Sequence, residues 1–120
     1  MAGNSRKFQI ATISLDPETL EKLGEMASSA SYSLLSPIHH YAADANDLIL
    51  LENLRRTPPD IFVVDFDANP DRARRTVHQI RDVLPAAVIF AASSKSEPEQ
   101  IINAMRSGCS EYLVKPFEQG

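Results

Sequence analysis

Two runs of this chain end in residues that can do chemistry together. Asp65 closes Asp60-Ile61-Phe62-Val63-Val64-Asp65, and Lys115-Pro116 closes Tyr112-Leu113-Val114-Lys115-Pro116. Ile61 to Val64 is short, apolar and unalternating, as expected of a strand buried on both faces. In an open parallel sheet, ligands collect outside the carboxyl ends of the strands. An acid and an amine on two such ends can share one rim although fifty residues separate them. Together they would make a pocket for a phosphoryl-sized anion.

The elements that must position this pair follow from local patterning. Phe8 to Ile13 reads as a first strand. Asp16-Pro17-Glu18 reads as a helix start, with Asp as the cap and Pro at the first helical position. Leu20, Leu23, Ala27 and Ala30 then form an apolar stripe. Tyr32 to Leu35 is a short second strand, and Asp44 to Arg56 a helix carrying Leu48, Leu51 and Leu54. Asn69-Pro70, within Asp67 to Asp71, reads as a turn. Arg72 to Leu84 is a helix with Ala73, Val77, Ile80 and Leu84 on one face. Val88 to Ala92 is a fourth strand. Pro98 to Ser107 is a helix with Ile101, Ile102 and Met105, stopped near Gly108. Tyr112 to Val114 is the fifth strand. Strand and helix alternate, which favours a parallel sheet covered on both faces.

Composition sets outer limits. The chain has 120 residues, 43% hydrophobic and 23% charged, which fits one globular domain over 1–120. A net charge of −4 argues against a nucleic-acid surface. The single cysteine, Cys109, excludes an internal disulfide and a cysteine cluster for zinc. No apolar stretch approaches the roughly 18 residues that cross a bilayer. The N-terminus lacks the apolar segment of a signal peptide. A cytoplasmic protein without membrane insertion is expected.

Three segments resemble a response-regulator receiver domain, over nearly the whole chain from Phe8 to Phe117. Asp60 to Asp65 is similar to the family's third strand, which ends in the phospho-accepting aspartate. Ala104 to Phe117 resembles its fourth helix, fifth strand and Lys-Pro signature. Ser93 falls where the family places a Ser or Thr. The resemblance implies a flavodoxin-like (CheY-like), doubly wound, five-stranded parallel sheet of order 2-1-3-4-5. It implies that Asp65 takes the phosphoryl group, that Ser93 hydrogen-bonds it and moves on activation, and that Lys115 pairs with its charge. Pro116 would follow a cis peptide bond, and Tyr112 would change rotamer with Ser93. Phosphoryl transfer rests on positioning and charge neutralisation, and Lys115 is a suitable point charge. The implied partners are a histidine kinase or phosphotransfer protein and an output domain or partner protein, with a homodimer as a further option. Such self-phosphotransfer is not turnover of a free substrate, so no enzyme is expected.

The chain departs from the family pattern in three places. Ser14 and Leu15 stand where receivers carry two adjacent acids that help to hold Mg²⁺. Asp16, one step on, is expected to cap the first helix. Mg²⁺ prefers near-octahedral oxygen ligands with one or two carboxylates. Asp65, Asp67 and Asp16 remain, so a weak or absent metal site and slow phosphorylation are expected. The loop Phe66-Asp67-Ala68-Asn69-Pro70 is one residue longer than usual. This combination resembles the atypical receiver of Flp/Tad pilus assembly ATPases, although no Gly-Lys-Ser/Thr phosphate loop is present. Only five residues follow Lys115, so the last helix of the fold is expected to be truncated or missing. Either the chain is a piece of a longer protein, the reading favoured here, or a partner covers the exposed surface.

The alternatives are plainer. Phosphorylation-independent docking or dimerisation, for example in pilus assembly, is the main competitor to a signalling receiver. A flavin or nucleotide site is disfavoured because Ser14-Leu15-Asp16-Pro17 has no glycine to cradle a phosphate. Adjacent His39 and His40 point apart and imply no metal. Arg72, Arg74, Arg75, His78 and Arg81 read as a solvated face. Cys109 reads as a packed, inert thiol.

Overall fold

The computed structural model describes residues 8–42 and 48–117. Five strands are found: β1 (Phe8–Ile13), β2 (Tyr32–Leu34), β3 (Ile61–Asp65), β4 (Val88–Ser93) and β5 (Glu111–Val114). They form one sheet of order β2-β1-β3-β4-β5, and every pairing is parallel. The expected doubly wound order is therefore the observed one. The helices are α1 (Pro17–Ser29), α2 (Leu48–Arg56), α3 (Pro70–Val83) and α4 (Pro98–Arg106). The expected start of α2, at residues 44–47, lies outside the described residues. Among the described residues no helix follows β5.

Alternate residues of each strand serve opposite faces of the sheet. Ala11, Ile13, Phe62, Val64, Ile89 and Ala91 join Leu54 of α2, Ala73, Val77 and Ile80 of α3, and Ala104 of α4 in one core layer. Ile10, Val63 and Ala92 join Leu15, Leu23 of α1 and Phe117 in the other. The second layer is thinner, and Ile61, Phe90 and Leu113 on it stay half-buried.

Two helices begin by the same device. Asp16 accepts a hydrogen bond from the Thr19 amide, and Asn69 accepts one from the Arg72 amide; each is followed by a proline at the helix start. The expected turn at Asn69-Pro70 is thus a helix cap, and α3 starts two residues before the expected Arg72. In α4 the expected stripe is only half-buried or exposed: Ile102 and Met105 face solvent, and Ala104 is the residue that packs inward.

The register brings the site together. Asp65 at the end of β3 pairs with Ala92, and Ser93 at the end of β4 pairs with Val114. Lys115 follows Val114 directly, and the Lys115-Pro116 peptide bond is cis. Gly108 precedes β5 with φ 117°, and a Cβ there would come within 3.3 Å of the Arg81 side chain. The left-handed φ is what favours glycine there.

Candidate functional site

The carboxyl rim gathers the residues that patterning singled out. Lys115 Nζ donates to Asp65 Oδ1 at 2.5 Å and to Asp16 Oδ1 at 2.7 Å, and lies 3.1 Å from Asp67 Oδ2. One ammonium is thus clasped by three carboxylates, and the cluster carries a formal charge of −2. Burial alone would lower the Lys115 pKa, but its hydrogen bonds to Asp16, Asp65 and Asp67 raise it above the usual lysine range. Lys115 is a cation at any physiological pH.

Each acid is also held by its own strand end or loop. Asp65 is 3% exposed, and its Oδ2 accepts from the backbone amides of Asp67 and Ala68, both at 3.1 Å. The Tyr41 hydroxyl donates to the Asp65 carbonyl at 2.8 Å. Asp16 is the α1 cap, as expected, and also accepts from the Thr19 hydroxyl at 2.8 Å. Burial would raise its pKa, but hydrogen bonds from Lys115 and Thr19 hold the carboxyl far below the usual carboxylate range. Capping and ion pairing are therefore two uses of one side chain.

Asp67 is the member whose placement is least expected. Its Oδ1 accepts from the Ser93 hydroxyl at 2.7 Å, and the Ser94 amide donates to both of its oxygens at 3.0 Å. Burial would raise its pKa, but the bonds from Ser93, Ser94 and Lys115 lower it. Ser93 is 2% exposed, and its oxygen also accepts from the Lys95 amide at 3.0 Å. The Tyr112 hydroxyl donates to the Lys95 carbonyl at 2.6 Å. Asp67, Ser93, Lys95 and Tyr112 therefore form one hydrogen-bonded line from the rim to β5. The line through the 93–95 turn has no signature in residue type alone.

The two positions that depart from the receiver pattern are also accounted for. Leu15 is 5% exposed and belongs to the second core layer. Ser14 has φ 63°, and its amide donates to the Ile38 carbonyl at 2.8 Å. Among the described residues, no group of three or more His, Cys, Asp or Glu is arranged to hold a metal ion. His39, His40 and Arg72 line an open cleft of about 400 Å³ with Ser14 and Asn69 beside this rim.

Residues away from the rim have structural duties. Cys109 is buried, and desolvation pushes its thiol up to about 12 despite the nearby Arg81. The thiol is packed as expected, and burial that disfavours the thiolate makes it a poor nucleophile. Arg81, expected on a solvated face, instead donates to the carbonyls of Gly108, Pro85 and Ala87. Arg74 pairs with Asp71 on the surface, and His78 is exposed.

No protein-family model matches the chain. The chemotaxis protein CheY of Thermotoga maritima is 25% identical over 68 residues, a stretch that spans 57% of each chain. A solved response regulator of Burkholderia pseudomallei, with a phosphorylated aspartic acid, a calcium ion and citrate, superimposes with a TM-score of 0.70. It is 17% identical, over 93% of this chain and 62% of that one. A pilus assembly protein (CpaE) of Burkholderia thailandensis gives a TM-score of 0.74 at 20% identity, over 92% of this chain and 88% of that one. This chain thus spans less than two thirds of both the CheY relative and the response regulator. The sheet order and these likenesses give the chain a CheY-like fold, with Asp65 and Lys115 at the strand ends that form its carboxyl rim. No described helix is long and apolar enough to cross a membrane.

Proposed function

We propose that this chain is a receiver-type docking module, binding a protein partner through its folded surface without phosphoryl transfer to Asp65. The observation that carries this reading is the saturation of Lys115. A receiver that accepts a phosphoryl group needs a cation able to turn toward the incoming oxygens. Here that ammonium already answers Asp16 and Asp67 besides Asp65 itself. The donor set also suits Mg²⁺ poorly. Leu15 offers no oxygen and is packed in the core, and the three acids each share an oxygen with Lys115 instead of opening a ring of ligands. The same fold occurs in the pilus assembly protein described above, so docking within such an assembly falls inside this reading.

A second reading keeps Asp65 as a phospho-acceptor for a histidine kinase or phosphotransfer protein. The 2.5 Å contact between Asp65 and Lys115 favours it, because it sets a cation beside the carboxylate where a phosphoryl charge would have to be offset. Acetyl phosphate with and without millimolar Mg²⁺ separates the two. The docking reading expects no phosphoryl adduct by intact-mass measurement. An Mg²⁺-dependent adduct that disappears in Asp65→Ala would establish the acceptor reading instead.

A further inference from the structure

Ser93 Oγ, the Ser94 amide and Lys115 Nζ converge on one small volume beside Asp65. These are a hydroxyl, a backbone N–H and an ammonium, all donors. On the receiver reading, Ser93 and Lys115 are the groups that would grip a phosphoryl group on Asp65. All three donors are engaged by a single carboxylate, that of Asp67. We infer that Asp67 is a built-in anionic ligand: its carboxylate fills the oxyanion seat, stands in for the phosphoryl group and excludes it.

Three features of the rim support this. Asp67 reaches the seat from the short segment between Asp65 and the start of α3, so the chain itself delivers the anion. The contacts are charge-assisted and numerous, with both carboxylate oxygens used, which is the pattern expected of a held oxyanion. The seat is also wired onward, since Ser93 accepts from Lys95 and the Lys95 carbonyl accepts from Tyr112. A filled seat therefore fixes Ser93 and the 93–95 turn in one arrangement, independently of any kinase.

The inference rests on the receiver reading of the rim, but not on Asp65 being inert. With the seat emptied, an Asp65 oxygen can attack the phosphorus of acetyl phosphate. A new O–P bond forms, the bond from phosphorus to the acetate oxygen breaks, and acetate leaves with that electron pair. No redox partner or proton is required.

The test compares the parent protein with Asp67→Ala and the isosteric Asp67→Asn. Each is given acetyl phosphate or fluoroberyllate, with and without Mg²⁺, and adducts are read by mass and by fluorine NMR. Asp65→Ala in each background identifies the site. The expected result is an Asp65-dependent adduct at least about tenfold more populated in the Asp67 variants, the factor given by loss of one charge-assisted bond. Adduct levels in both variants no higher than in the parent would overturn the inference, whichever way the docking reading fares. An adduct in the parent that rises tenfold further in the variants would sustain the inference and remove the docking reading. A measurement on the parent alone covers variants that do not fold. The Ser94 amide proton must shift as acid titrates Asp67, and a Ser94 signal that ignores that titration would also overturn the inference.

Discussion

Two cations hold opposite ends of this sheet, and they do so in different chemical company. At the carboxyl rim, Lys115 meets three carboxylates. At the amino ends of β4 and β5, Arg81 meets three backbone carbonyls, those of Gly108, Pro85 and Ala87. Carbonyls are neutral and cannot be protonated in water, so the Arg81 knot is a fixed brace. Carboxylates carry charge, can exchange partners and respond to pH. The Lys115 cluster therefore has the properties of a site, while the Arg81 knot, with as many partners, has those of a rivet.

The largest effect expected is at Lys115. Lys115→Met leaves the buried Asp65 beside two further carboxylates without a cation. Removing one partner of a buried pair costs about 3 kcal/mol or more; the low figure is expected here because Asp16 and Asp67 keep some water. Urea unfolding at neutral pH would show it. The pH profile sharpens the contrast. Asp16 and Asp67 have depressed pKa values, so their contribution is present above the ordinary 3.8 and lost as pH falls through the folded values. Lys115 has a raised pKa, so its contribution is full below the ordinary 10.5 and lost as pH rises through its folded value. Stability of the parent should decline at both extremes, and the alkaline decline assigned to Lys115 should be absent in Lys115→Met. A variant as stable as the parent would show that the cluster is not an ion-pair site at all.

Arg81→Ala comes next, at about 2 kcal/mol, for loss of charged hydrogen bonds to carbonyls that are then under-satisfied. Its cost should stay nearly constant below pH 3.8 and above pH 10.5, where that of the Lys115 cluster begins to change, measured by the same unfolding assay. A cost that varied with pH like that of Lys115 would erase the distinction between the two ends. Arg81→Lys should recover little, because a point charge cannot span three carbonyls. The smallest effect is at Tyr112→Phe, under about 1 kcal/mol, since one exposed neutral hydrogen bond is lost. Its signature is spectroscopic: amide shifts should move at Ser93 to Lys95 and leave the Arg81 knot untouched.

How much of this was legible beforehand depended on the kind of signal. The parallel sheet and the meeting of Asp65 with Lys115 followed from apolar runs ending in charge, because a parallel sheet carries strand ends to a common rim; the strand order itself came only with the resemblance to receiver domains. The Asp16 cap was readable from Pro17. The equivalent Asn69 cap was not, because Asn-Pro signals a turn as readily as a helix start, and only the following packing of Ala73, Val77 and Ile80 decides. Arg81 looked solvated among neighbouring arginines, yet its partners are backbone carbonyls, which every sequence has and none advertises. In α4, large apolar residues outweighed Ala104 in the reading, whereas close approach of the helix to the sheet favours the small one. Asp67 was legible only as an acid near the site. Its hold on Ser93 and Ser94 depends on where the four-residue connection 66–69 turns, and that is a property of tertiary geometry.

Leu15 carries one last consequence. It shares its layer with Leu23, Val63, Ala92 and Phe117, so a carboxylate introduced there would have to desolvate among hydrocarbon or drag the start of α1 outward. Engineering divalent-ion dependence into this protein is consequently not a single-letter edit. The neighbours would need redesign in concert, and the starting point would be a less stable molecule.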